Sequence, residues 1–163
     1  MRISMEEALG RFERSLEALF DSDIYLLEHD INERTITHKL AEHLQVRFPE
    51  WHVDCEYNRD GHDPKRIRIE TGLASIQINV YPDIIIHERG TNERNLLIVE
   101  AKKSNDPRLN GAEADHQRIE GFSASLGYQI GVFLEFNVGE GQTEGWLLAK
   151  EAYFEDSWHD LLA

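Results

Sequence analysis

Apolar residues recur at helical spacing from the start of the chain. Ala8, Phe12, Leu16, Leu19 and Phe20 lie on one stripe, which predicts an amphipathic helix over about residues 5–20. A second stripe, Ile36, Leu40 and Leu44, predicts a helix that opens near Asp30 and ends before Pro49. The period then shortens. Strand signals run from Trp51 to Tyr57 and from Ala74 to Val80, and the segment between them, punctuated by Gly61, Pro64 and Gly72, reads as a loop. Asp83-Ile-Ile-Ile86 and Asn95-Leu-Leu-Ile-Val99 lack alternation, as strands covered on both faces do, and so predict the middle of the sheet. Helical spacing returns after Asp106-Pro107 and runs to about Leu126, with Asp115, Ile119, Phe122 and Leu126 on the sheet-facing stripe. Strands at Tyr128–Phe136 and Gly145–Ala149 and a short C-terminal helix complete the order. The prediction is an α/β fold of order α-α-β-β-β-α-β-β, with a mixed central sheet flanked by helices.

The polar segment Glu88 to Arg94 joins the two most apolar strands, and Gly90 and Asn92 suit positive φ there. The strands therefore form a hairpin. A turn centred between Thr91 and Asn92 opposes Ile85 to Ile98 and Asp83 to Glu100. Directly opposed side chains stand about 5 Å apart at Cβ, and two carboxylates there repel unless a positive charge lies between them. A divalent cation is the simplest candidate. Strand alternation puts Lys102 on the face of Glu100, beside the carboxylate pair. Mg²⁺ takes hard oxygen ligands, typically one or two carboxylates with waters and phosphate oxygens, so this cluster has the composition phosphodiester hydrolysis requires.

Charge limits how such a site could meet its substrate. The 163 residues carry a formal charge of −14, which counts against a protein that coats nucleic acid through a broad basic surface. Any contact with nucleic acid is local, through a bound cation or clustered Lys and Arg. Arg59, Lys65, Arg66 and Arg68 form the only basic cluster, read either as a phosphate-contacting segment or as a solvated loop. No stretch approaches the length of a membrane span, no leader-like apolar region opens the chain, and Cys55 is the sole cysteine. These features, with the absence of repeats or linkers, predict one cytoplasmic domain over residues 1–163.

Tyr81-Pro82-Asp83 followed by Glu100-Ala101-Lys102, at the ends of paired apolar strands, resembles the PD-(D/E)XK nuclease superfamily and its restriction-endonuclease-like fold. The order helix, three strands, helix, strand over about residues 32–136 is similar to the core of that superfamily. The resemblance implies a nuclease, acting on DNA more readily than RNA, that uses Mg²⁺ or, in its place, Mn²⁺. It implies Asp83, Glu100 and Lys102 as catalytic residues, with Asp83, Glu100 and the Ala101 carbonyl on the metal and Glu33 assisting through water. Glu33 lies on the stripe of Ile36 and Leu40, but Asp30 as N-cap with Glu33 three residues on would also make a capping box without a metal. Asp115 and Arg118 match positions where some members carry an acid and a base, either contacting substrate or pairing locally. Gln129 matches a position where some members carry a Gln at the metal.

Lys103 alternates away from Lys102 and reads as solvated or near phosphate. His38, His43, His52, His62, His87 and His116 are scattered, without zinc spacing to Cys55. The alternatives to a nuclease are a nuclease-like core serving as a binding or regulatory module, and an acidic α/β domain whose carboxylates are paired by Lys or Arg alone. A nuclease of this acidity would also suit delivery by a DNA-targeting protein partner. Lys102→Ala is expected to abolish turnover while leaving folding nearly intact.

Overall fold

The computed structural model describes residues 3–57, 66–71, 74–79, 81–107, 112–141 and 145–162, with 66–71 and 74–79 as backbone strands. Helix α1 (Met5–Glu28) opens on Ser4, whose Oγ accepts the Glu7 N–H at 3.1 Å. It runs about two turns beyond the predicted end. Asp21-Ser-Asp23 interrupts the apolar stripe and the backbone kinks at Asp23, but Leu27 regains the buried face. The Asp23 carboxylate lies 2.7 Å from His43 Nε2 on α2 (Glu33–Arg47), tying the two helices together at the kink.

The capping box is not formed. The N-cap of α2 is Asn32, whose Oδ1 accepts the Thr35 N–H at 2.9 Å. Asp30 instead turns the chain at positive φ and gives its carboxylate to Lys103, 2.8 Å away. Glu33 is thus the first residue of the helix.

Eight strands are present among the described residues: β1 (His52–Cys55), β2 (Arg66–Thr71), β3 (Ala74–Asn79), β4 (Ile84–His87), β5 (Leu97–Lys103), β6 (Ile130–Phe136), β7 (Leu147–Phe154) and β8 (Ser157–Asp160). Helix α3 (Ala112–Leu126) lies between β5 and β6 in the chain. Six strands make one mixed sheet in the order β1-β4-β5-β6-β7-β8, antiparallel except where β5 and β6 run parallel. That parallel pair requires a crossover, which α3 supplies. The predicted strand at 74–80 does not join this sheet. As β3 it pairs only with β2, in a separate hairpin, and β2 runs alongside α3.

The C-terminal segment is a hairpin rather than a helix. Ala149 to Phe154 has helix-forming composition, but pairing with β6 and β8 holds it extended, and Glu155 and Asp156, both at positive φ, form a two-residue turn. Trp158 packs on Tyr153 across that turn, ring centroids 5.3 Å apart. No helix among the described residues is long and apolar enough to cross a membrane.

Apolar side chains fill both faces of the sheet. Ile84, Ile86, Leu97, Val99 and Ala101 pack with α1 and α2, while Ile85 and Ile98 pack with Phe122 and Leu126 of α3. Strand alternation therefore sends Ile98, Glu100 and Lys102 toward α3. The approach of α3 is set at Gly131, where a Cβ would stand 2.1 Å from Ile119 Cγ2. Gly131→Ala is expected to cost about 1–3 kcal/mol by forcing Ile119 off the sheet. Chemical denaturation of Gly131→Ala, Ile119→Ala and the double variant checks this: the double variant should lose less than the sum, and strict additivity would show that the contact does not limit the packing.

Candidate active site

The hairpin has the register anticipated from its turn. Ile84 opposes Val99, Ile85 opposes Ile98 and Ile86 opposes Leu97. Asp83 immediately precedes the ladder, one step from Ile84, and so lies alongside Glu100. Its Oδ2 accepts the Ala101 N–H at 2.8 Å, and its carbonyl accepts the Glu56 N–H at 3.3 Å. These bonds hold the carboxylate at the end of β4, where the backbone bends. Glu100 and Lys102 point toward α3 and are almost dry, with 3% and 7% of their surface exposed.

Helix α3 meets them with the opposite charges. Asp115, buried on the same stripe as Ile119, brings its Oδ2 within 2.9 Å of Lys102 Nζ. That contact is ionic rather than a directed bond, because Asp115 Oδ2 has no hydrogen-bond partner. Arg118, one turn along, donates from Nη2 to Glu100 Oε2 at 3.3 Å and to Asp115 Oδ1. The sequence stripe that marked Asp115 as sheet-facing, set against an inward-pointing Lys102, is the signal from which this pairing could have been read.

Burial first, and then the charges of Glu33 and Asp115, push the Asp83 carboxyl up to about 6; the Ala101 N–H and Arg118 pull the other way. Glu100 is raised well above the usual carboxylate range by its burial and by Asp83, against the pull of Arg118. Burial disfavours the Arg118 cation, but Glu100 and Asp115 outweigh that and raise its pKa. The site thus holds carboxylates whose ionisation is costly and would be relieved by added positive charge.

Glu33 and Asp83 share a cleft of about 1070 Å³, also lined by Thr37, His38, Cys55 and Lys103. Its volume is ample for a nucleotide. Lys103 is not freely solvated: it donates to Asp30 Oδ1 at 2.8 Å and to the Ile31 carbonyl at 3.3 Å, bracing the start of α2 against β5. Desolvation and the charges of Asp54, Asp83 and Glu56 push the Cys55 thiol up to about 11, so it stays protonated and is a poor nucleophile. Asp83 is the seam of the site, facing the cleft while coupled to the Glu100 side.

Several predicted site residues are elsewhere. Gln129 is exposed and its N–H bonds to the Leu96 carbonyl, at the opposite end of β5. Because β6 runs parallel to β5 with Phe133 beside Glu100, Gln129 is about 13 Å from that level and takes no part in the site. Arg66 and Arg68 lie on strand β2 rather than a loop, and Arg59 and Lys65 fall outside the described residues. His43, His87 and His116 each pair with a single carboxylate, those of Asp23, Asp54 and Glu151. Among the described residues, no three His, Cys, Asp or Glu side chains converge to hold an ion by themselves. The donors still suit Mg²⁺, which takes one or two carboxylates and keeps several waters.

No family model, curated protein or solved structure matches the chain.

The ordinary carboxyl value for Asp83 is 3.8, against about 6 in the fold. Between those values the folded chain holds more protons than the unfolded one, so stability falls as pH rises through the window. Asp83→Asn removes the ionisation and keeps an oxygen for the Ala101 N–H. In EDTA the variant is expected to be more stable than the native chain by about 1–3 kcal/mol at pH 8, with the gain vanishing toward pH 4. Thermal melts at both pH values check this, and a variant that melts lower at pH 8 would contradict the raised pKa.

Proposed function

We propose that the chain is a metal-dependent nuclease of the PD-(D/E)XK superfamily, with a restriction-endonuclease-like core. It hydrolyses phosphodiester bonds of nucleic acid, DNA in preference to RNA, using Mg²⁺ or Mn²⁺. One observation carries the reading: the β4–β5 register sets Asp83 beside Glu100, with Lys102 next along the same face. The β1-β4-β5-β6 portion of the sheet, antiparallel and then parallel across α3, supports the core assignment.

In this reading Asp83 and Glu100 hold the ion together with the Ala101 carbonyl, and Glu33 orients a water from the cleft wall. When bound, the ion supplies a Lewis acid and a more acidic water. Asp115 fixes the Lys102 ammonium at the edge of the carboxylate pair, where Lys102 orients the attacking water and stabilises charge on the phosphate oxygens. A chain with 31 acidic against 17 basic residues offers little general attraction for a polyanion. Delivery of DNA by a separate targeting protein fits that balance.

One observation favours a second reading, a nuclease-like core that serves as a binding or regulatory module. Glu100 and Lys102 are both buried and both engaged by α3, and neither lines the cleft.

Lys102→Ala is a poor test, contrary to the expectation from sequence, because it leaves Asp115 buried without its ammonium and would cost several kcal/mol of stability. Asp83→Asn and Lys102→Gln are the informative variants. Labelled single- and double-stranded DNA and RNA, incubated with Mg²⁺ or Mn²⁺ at matched folded concentration, should be cut by the native chain and at least about 10²-fold more slowly by either variant. A native chain that cuts none of them favours the binding module.

A further inference from the structure

Arg118 differs from the other charges that meet beneath α3. The side chains of Glu100, Asp115 and Lys102 keep 5%, 3% and 8% of their surface exposed, whereas Arg118 keeps 36%. Its Nη2 lies against Glu100 Oε2 at 3.3 Å. Asp115 has a second cation at its other oxygen, Lys102 at 2.9 Å. Among the described residues Glu100 has no such reserve: Arg118 is the cation that contacts it and the charge that offsets its burial.

An ion held between Asp83 and Glu100 would compete with Arg118 for Glu100 Oε2 and would bring two positive charges beside the guanidinium. Lys102 is enclosed, whereas the Arg118 side chain is partly exposed.

We infer that Arg118 is the resident counter-cation of this site: it neutralises Glu100 while no divalent ion is bound and yields that carboxylate when one binds, turning toward solvent while Asp115 stays with Lys102. The inference rests on the proposed role of Asp83 and Glu100 as ion ligands. Ion loading and the Arg118–Glu100 pair then oppose one another, and each weakens the other by the same factor. Arg118 is in this sense a positioning residue.

Calorimetric titration with Mn²⁺ at pH 8.5, where proton competition for Glu100 is least, tests the exchange in the native chain and in Arg118→Gln. The glutamine keeps donors for the carboxylates but removes the charge. Binding is expected to tighten by about tenfold or more in the variant. A brace that merely orients Glu100 would give the opposite sign, so unchanged or weaker binding overturns the inference. In the native chain, the Arg118 Nε–H resonance should shift and sharpen as Mg²⁺ saturates the site. A resonance unmoved at saturation also overturns it, and this arm holds even if the variant does not fold. Binding that is lost in Asp83→Asn but not tightened in Arg118→Gln refutes the exchange alone. No binding in the native chain or Arg118→Gln removes the ligand role of Asp83 and Glu100, and the exchange with it.

Discussion

Lys102 Nζ and Asp115 Oδ2 meet 2.9 Å apart where each side chain has less than a tenth of its surface exposed. Desolvating two ions costs several kcal/mol apiece, and their attraction repays that only if the partners are held in close register. The register comes from α3, and the height of α3 above the sheet comes from Gly131, where the missing side chain admits Ile119. Arg118 extends the pairing to Glu100 from the next turn of the same helix. An apolar contact at one point of the interface thus determines whether charges at another can be buried at all.

Asp83 stands outside this arrangement and is the less comfortable for it. It receives one backbone N–H and shares the cleft with Glu33, so among the described residues nothing neutralises it as fully as Lys102 and Arg118 neutralise the α3 side. A carboxylate kept where its charge is unfavourable lowers the stability of the fold, and such positions are characteristic of sites retained for chemistry or ligand binding. The structure therefore has two electrostatic halves: a self-neutralised layer under α3 and an under-neutralised acidic cleft beside α2. The proposed ion would sit at their boundary.

This division bears on the strongly acidic composition. A net charge of −14 would oppose any polyanion approaching the surface at large, but repulsion between exposed charges fades beyond about 10 Å in ordinary salt. What decides contact is the local balance at the cleft, where Lys103 is already committed to Asp30 and Arg34 to Glu56.

The sequence by itself determined the hairpin and what its ends carry. Two runs of isoleucine, leucine and valine must be covered on both faces, and the pairing expected of a turn in this segment is the one found, although only Gly90 and not Asn92 takes positive φ. The placement of Asp83, Glu100 and Lys102 was therefore legible in local pattern. The stripe of Asp115 with Ile119, Phe122 and Leu126 was legible for the same reason, since helical period decides facing without reference to a partner. Tertiary structure decided the rest. Leu27 continues α1 past a polar interruption because the core rewards its burial. Ala149 to Phe154 becomes a strand because β6 offers an edge to pair with, overriding helical composition. Gln129 is removed from the site because parallel pairing puts it at the far end of β5, a fact no spacing along the chain encodes. The union of Lys102 with Asp115 and of Glu100 with Arg118 depends on the distance between a helix and a sheet, which is set by packing at Gly131 and Ile119 and not by the residues that carry the charge.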